Sequence, residues 1–425
     1  MTETTEIKIE SIGARGDGVA HIAGAPCYVP FSAPGDIVRV PNQRHRDQRA
    51  KTGMIEIVTP GPDRTAPSCR HFGRCGGCVL QHIKHDAYTT WKRDLVRTAL
   101  SHRGLDKVIV ESPIVVSPGS RRRTTLRFRK TRQAGVLGFN APKSDRIVDI
   151  ACCPVLAATL EAMLEPLRDL LAVIIPTNGR AELALTATET GIDLVLKAEF
   201  EPDLAVRERI ACFAESHDLA RVSWRRDEDD IGPETLVEHR RPMVHFGSVM
   251  ISPPAGAFLQ PTEQGESFLR QRALASLPDN ATQAIDLFAG CGAFALSMAE
   301  RCAVHAIDSD ARMVAALTAA SHQGAGLKAV TAEKRDLFRR PVIAPDLDRY
   351  DVVIIDPPRA GARAQVEQIA KSRVPVVVGV SCNPATFARD ARILIDGGYR
   401  LDSVTPVDQF LWSAHVELLG VFRRG

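Results

Sequence analysis

Five short apolar runs organise the second half of the chain. Ala284-Ile285-Asp286-Leu287-Phe288, Val304-His305-Ala306-Ile307, Ala329-Val330-Thr331, Val352-Val353-Ile354-Ile355 and Val376-Val377-Val378 recur about every 20–25 residues. Each interval is long enough for a helix, and a helical crossover is how a chain returns to pair a strand in parallel. Runs this apolar suit a sheet covered on both faces. The expected fold class is α/β, with a mainly parallel sheet from about residue 255 onward.

A chain of 425 residues is long for one domain, so two or three are expected. Apolar content of 44% and charged content of 25% are those of a soluble globular protein. No apolar run approaches the ~18 residues of a membrane-spanning helix, so no membrane partner is expected. The opening Met1-Thr2-Glu3-Thr4-Thr5-Glu6 has no basic region followed by an apolar core, so the expected compartment is the cytoplasm. There thiols stay reduced, and clustered cysteines point to metal or catalysis. A monomer is expected.

Residues 1–60 read as short strands and Gly-rich turns. Ile7–Glu10, Tyr28–Phe31, Ile37–Val40 and Ile55–Val58 are the strand candidates, and Gly13, Gly16 and Gly18 punctuate them. They predict a small β-barrel of a nucleic-acid-binding kind. Pro60-Gly61-Pro62-Asp63 is a linker candidate. Residues 61–254 predict an α+β domain, with a helix from Ala87 to His102 and strands at Leu126–Phe128, Leu183–Leu185, Ile192–Leu196 and Leu236–Glu238. Asp227–Asp230 reads as a solvated loop. Residues 255–425 form the third domain.

The chemistry concentrates at the ends of the predicted parallel strands, where open α/β sheets bind ligands. After Asp286-Leu287-Phe288, Gly290 and Gly292 allow a sharp turn and a close ligand approach. Asp308 ends the next strand, where a carboxylate can bind both ribose hydroxyls of an adenosine. Ala295 replaces the third Gly of the dinucleotide fingerprint, so a nucleoside without phosphates, such as S-adenosylmethionine, fits better than a dinucleotide. Asp336, past the third strand, is placed to meet an adenine amino group. Cys382 follows the last apolar run in Ser381-Cys382-Asn383-Pro384, where Pro384 can start a helix. A thiol, a nucleoside-like cofactor and a late carboxylate in His415-Val416-Glu417 fit methylation of a pyrimidine carbon. The thiolate adds at C6, C5 becomes nucleophilic and takes the methyl group, and a base removes the C5 proton. Cys382 is the candidate nucleophile, Glu417 the base and Asp356 the reader of the uracil N3–H. Because a free thiol titrates near ~8.5, Cys382 needs electropositive help, which Arg359 or Arg389 can supply. In Asp356-Pro357-Pro358-Arg359 the arginine stands where adenine amino-methylating enzymes carry an aromatic residue, which weakens that reading.

Two further features stand apart. Cys69, Cys75 and Cys78, with Cys152-Cys153 some seventy-five residues later, supply thiolates for zinc or an iron–sulfur cluster; spacing does not separate the two. Arginines and lysines crowd Ser120–Arg132 and Arg39–Lys51, a footprint for the phosphates of a folded RNA.

These residues resemble the RNA 5-methyluridine (uracil-5) methyltransferases, in the iron–sulfur-containing ribosomal RNA type with an N-terminal TRAM-like domain. The likeness runs through the N-terminal strands, Cys-x5-Cys-Gly-Gly-Cys, Asp-Leu-Phe-x-Gly-x-Gly, Asp-Pro-Pro-Arg-x-Gly, Ser-Cys-Asn-Pro and His-Val-Glu. It implies a C-terminal class I, Rossmann-like S-adenosylmethionine-dependent domain. It implies Cys382 as nucleophile and Glu417 as base, and Gln260, Phe288, Asp308, Asp336 and Asp356 around donor and target base. It further implies a [4Fe-4S] cluster on Cys69, Cys75, Cys78 and Cys153. Large-subunit (23S) ribosomal RNA is the first expected substrate and transfer RNA the second. The rival reading is an RNA-binding protein with a vestigial methylating site. The chain departs from the family at Ala293 and Thr262, each where Asn is common, and at Leu411, where Pro is common.

Overall fold

The computed structural model describes residues 4–41, 55–226 and 232–424. The Asp227–Asp230 loop and most of the Arg39–Lys51 basic stretch lie outside the described residues.

A nine-stranded sheet carries the C-terminal half. Its parallel part runs, in spatial order, Val330–Lys334, Ala303–Asp308, Gln283–Leu287, Val352–Ile355 and Val376–Ser381. Glu417–Arg424 then pairs antiparallel with Val376–Ser381, and Tyr399–Asp408 antiparallel with Glu417–Arg424. Side chains alternate between the faces, as strand geometry requires. Ile285, Leu287, Val353 and Val377 pack under the helices Arg363–Lys371 and Pro384–Asp396. Ala284, Val352, Ile354 and Val376 pack on the other side, with the helices Glu263–Ser276 and Ala293–Met298. The chain winds outward from Gln283–Leu287 to one edge and then crosses to Val352–Ile355. A crevice therefore opens at the strand ends where the winding reverses.

One part of this sheet comes from far upstream. Ile109–Val110 and Ile114–Val115 pair in parallel with Tyr399–Asp408. The helix His85–Ser101 packs its Val96 and Leu100 into the core beneath the sheet. Residues 85–115 thus serve the C-terminal sheet although they precede the middle one.

The middle sheet has seven strands: Ile147–Asp149, Gly135–Asn140, Arg123–Lys130, Arg180–Thr188, Gly191–Ala198, Leu219–Arg226 and Glu234–Glu238. Neighbours are antiparallel except Gly191–Ala198 with Leu219–Arg226. Those two are joined by the helix Leu204–Ser216, which the Asp203 side chain caps by accepting from Val206 N at 2.9 Å. Leu126, Phe128, Leu137, Leu183 and Leu196 face this helix and Leu164–Ile174. Strands between Thr4 and Thr59 form two three-stranded sheets over a small core of Ile7, Ile9, Ala20, Val29, Val38 and Val40. No helix among the described residues is long and apolar enough to cross a membrane.

Candidate active site

At the winding reversal the chain leaves Gln283–Leu287 and turns at once. Phe288 adopts φ +65°, and Gly290 and Gly292 follow at +54° and +91°. The left-handed region is costly for Phe and open to Gly. A Cβ on Gly292 would also stand 2.6 Å from Leu317 Cδ1. The turn is held by carboxylates. Asp308 accepts from Gly290 N at 2.9 Å and from Asp310 N at 2.8 Å. Asp286 is fully buried and accepts from Ala295 N at 2.9 Å, while its other oxygen has no partner. Burial, with Asp356 and Asp308 nearby, pushes its carboxyl up to about 8.

Beyond this turn lies a cavity of about 560 Å³. Gln260, Phe288, Asp308, Asp336, Asp356, Cys382 and Glu417 all line it. The donor-side residues predicted from the sequence and the two predicted catalytic residues therefore share one space. The strand Val376–Ser381 stops one residue before Cys382, and the helix Pro384–Asp396 begins two residues after it. Asn383 caps that helix, accepting from Ala385 N at 3.1 Å, and donates to Arg359 O at 3.2 Å. Cys382 is thereby fixed at a strand-to-helix corner.

The carboxyls around the thiol are wired together. Gln260 Nε2 donates to Asp356 at 3.2 Å, and Gln260 Oε1 accepts from Gln409 Nε2 at 2.6 Å. Gln409 Nε2 also donates to Glu417 at 3.2 Å. Glu417 is 3% exposed. Burial first, then the neighbouring Asp356, raises its carboxyl well above the usual range. Asp356 is raised as well, chiefly by burial. Burial, Glu417 and Asp356 push the Cys382 thiol up to about 11, against the opposing pull of Arg359. Of the two arginines proposed to help the thiol, Arg359 lines its cavity and acts on it, whereas Arg389 is paired with Asp390 at 2.8 Å.

Sequence reasoning missed Gln409 and a group behind it. Asp408, the preceding residue, points to the other side of the strand. It pairs with Lys92 at 2.8 Å, both side chains having no exposure, and accepts a hydrogen bond from the Tyr88 hydroxyl. Lys92 also donates to His415 O, and Tyr88 Oη accepts from Trp412 N at 2.8 Å. The segment between Gln409 and Glu417 is thus gripped from the helix His85–Ser101. A Lys in an amphipathic helix gives no sign of such a role.

The basic stretch Ser120–Arg132 divides. Arg122 pairs with buried Glu266 at 2.6 Å and donates to Gln260 O at 3.1 Å. Arg123 donates to Leu259 O at 2.9 Å. Its guanidinium is pushed down to about 10, by burial first and then by Arg121 and Arg122. These two residues anchor the Gln260 segment, so they are structural where a phosphate footprint was expected. Arg127 and Arg129 remain on the exposed face of the strand. Thr262, one of the departures, caps the helix Glu263–Ser276 by accepting from Gly265 N at 3.1 Å.

Cys69, Cys75, Cys78 and Cys153 line a second cavity of about 450 Å³, together with Cys152 and Arg121. Burial pushes Cys78 up to about 12, with smaller effects from Cys153, Cys75 and Cys69, and burial raises Cys75 and Cys153 too. Cys152 engages Arg70 instead. No group of three or more His, Cys, Asp or Glu among the described residues converges closely enough to hold a metal ion. The four thiols border one space beside Arg121, whose guanidinium burial pulls down.

The tRNA (Uracil-5-)-methyltransferase family model matches residues 244–424. An uncharacterized RNA methyltransferase of Brucella suis is 43% identical over 100% of this chain and 99% of its own length. The chain belongs to the RNA uracil-5 methyltransferase family. The 23S rRNA (uracil(1939)-C(5))-methyltransferase RlmD of Halomonas elongata is 31% identical over 97% of this chain and 88% of its own length. In fold, the chain is similar to the Pyrococcus abyssi tRNA (uracil-54, C5)-methyltransferase in complex with S-adenosyl-L-homocysteine. That structure aligns with a TM-score of 0.76 at 23% identity, over 98% of this chain and 100% of the other.

Proposed function

We infer that this chain methylates C5 of a uridine in RNA, with large-subunit ribosomal RNA as the substrate. The observation that carries the reading is the meeting of Cys382, Glu417 and Asp356 in the cavity that the Phe288–Gly292 turn closes. Phe288, Asp308 and Asp336 would hold S-adenosylmethionine, which would supply the methyl group by breaking its S–CH3 bond and leave as S-adenosylhomocysteine. Cys382, once deprotonated beside Arg359, bonds to C6 of the uracil, and the electron pair of the C5–C6 double bond shifts to C5 and the O4 carbonyl. C5 then takes the methyl. Glu417 removes the C5 proton, the double bond re-forms and the Cys382–C6 bond breaks. Asp356, with Gln260 bonded to it, accepts from the uracil N3–H. The likeness to the Halomonas elongata relative supports ribosomal RNA over other RNAs.

The chain divides into three working parts, at 1–60, 61–254 and 255–425, with residues 85–115 lending their helix and strands to the last. The first is a TRAM-like RNA-binding barrel; its support is the pair of three-stranded sheets on one core. Cys69, Cys75, Cys78 and Cys153 hold a [4Fe-4S] cluster, supported by their common cavity and by Arg121. The enzyme works in the cytoplasm as a monomer.

The deciding experiment is covalent trapping. RNA carrying 5-fluorouridine cannot release the C5 substituent as a proton, so it should stay bonded to the chain, and the Cys382→Ala variant should form no adduct. Lack of an adduct with ribosomal and transfer RNA alike would leave a binding protein. For the cluster, anaerobically purified protein should be brown; colourless protein with stoichiometric zinc would overturn the assignment.

A further inference from the structure

Cys382 faces two cavities. Behind the thiol, away from the donor-side acids, a second space of about 580 Å³ opens. Its walls are the helix His85–Ser101, Ile12 at the end of an N-terminal strand with Ala14 in the turn after it, and the turn Asn383–Pro384. Trp91 Nε1 donates to Ile12 O at 3.2 Å and ties the first two walls together. None of the groups that serve the donor side, Asp308, Asp336 or Gln260, reaches this space. The volume lies within the range of small-ligand sites.

Its surface has two characters. Leu95, Ala99 and the Trp91 ring give a carbon wall. Arg103 and Arg359 stand exposed at the rim with His102 and His415. Neither arginine makes an ion pair among the described residues. Asp94, the acid on this surface, is committed to Arg97 at 3.0 Å. Arginines left without carboxylates beside a carbon surface match a nucleotide, whose phosphate carries the charge and whose base presents a flat apolar face.

We propose that this second cavity is the subsite for the nucleotide next to the target uridine in the same RNA strand, with its phosphate between Arg103 and Arg359 and its base on Leu95 and Ala99. The proposal rests on Cys382 as the nucleophile. A uracil bonded to that sulfur sits at the junction of the two spaces, so the strand leaving its ribose must pass along one wall or another. On the donor side acidic side chains outnumber the two arginines, Arg335 and Arg359, which disfavours phosphate there. The cationic side is the one open to it.

The test uses the full chain and a large-subunit ribosomal RNA transcript with 5-fluorouridine in place of uridine, trapped across a salt series. Arg103→Glu should raise the RNA concentration for half-maximal trapping about tenfold and flatten the salt dependence by about one phosphate contact, while Arg103→Lys stays near the parent chain. Thr98→Trp, which fills the cavity from an exposed helix position, should impair trapping by a similar factor without altering the salt slope. S-adenosylhomocysteine should bind all three variants as it binds the parent. Parent-like trapping and an unchanged slope in Arg103→Glu, or parent-like trapping in Thr98→Trp, would overturn the subsite while leaving the nucleophile in place. Absence of any adduct with the parent chain would remove the nucleophile, and the subsite with it.

Discussion

Lys92 and Asp408 are 2.8 Å apart with neither side chain exposed, although 316 residues of chain separate them. Their contact joins the helix His85–Ser101 to the strand whose next residue, Gln409, touches Glu417. A buried pair costs much desolvation, and removing one partner strands a charge. Lys92→Met should therefore destabilise the protein by about 3–5 kcal/mol, and Lys92→Met with Asp408→Leu by clearly less than Asp408→Leu and Lys92→Met summed. Urea unfolding of the four-member cycle measures the coupling; additive losses would show that the pair does not act as a unit.

Gln409 bridges Gln260 and Glu417 through one amide nitrogen. In Gln409→Leu the base loses its donor and its orientation. The turnover number should fall by about 10- to 100-fold, on the scale of a misplaced base, with the S-adenosylmethionine KM little changed. Gln409→Glu would put a third acid beside two raised carboxyls and should fall further. Steady-state kinetics of both variants give the answer.

The resting Cys382 thiol is predominantly protonated at neutral pH, since it titrates at about 11. Alkylation of the free enzyme by iodoacetamide should be slow at pH 7.5 and climb toward pH 11. Glu417→Gln removes a negative neighbour, so the inflection should move down and the rate at pH 9 should rise. Mass spectrometry of the Cys382 peptide follows it directly.

Asp286, also raised by burial, gives a pH signature in stability. Its folded carboxyl titrates at about 8, above the 3.8 of an unperturbed Asp, so the folded state holds the proton more tightly. The favourable contribution is fully present below about pH 4 and is lost as pH rises toward 8. Asp286→Asn keeps an acceptor for Ala295 N without the charge. It should stabilise the protein more at pH 8 than at pH 5, by on the order of 3–4 kcal/mol if the whole shift is realised. Urea midpoints at the two pH values test the sign.

Much of this site could be read from the sequence because parallel strands place their ends along one edge. Asp308, Asp356 and Cys382 each close or follow an apolar run, so the runs alone bring them together. The corner at Cys382 was legible for a local reason, since Asn383 and Pro384 are a cap and a first helical residue. Long-range pairing was not legible. Ile109–Val110 and Ile114–Val115 are two-residue strands with no periodicity of their own, and only Tyr399–Asp408 defines them. Charge was legible in amount and not in use: Arg122 and Arg123 look like their exposed neighbours until Glu266 and Leu259 O are seen to hold them.

The pairing of 109–115 with Tyr399–Asp408 decides how this enzyme can be cut down. A fragment beginning at residue 255 would lack the helix that supplies Lys92 and would bare the hydrogen-bonding edge of Tyr399–Asp408, an invitation to self-association. The smallest autonomous catalytic piece must keep residues 85–115 together with the segment that carries Gln260 into the site ahead of the helix Glu263–Ser276.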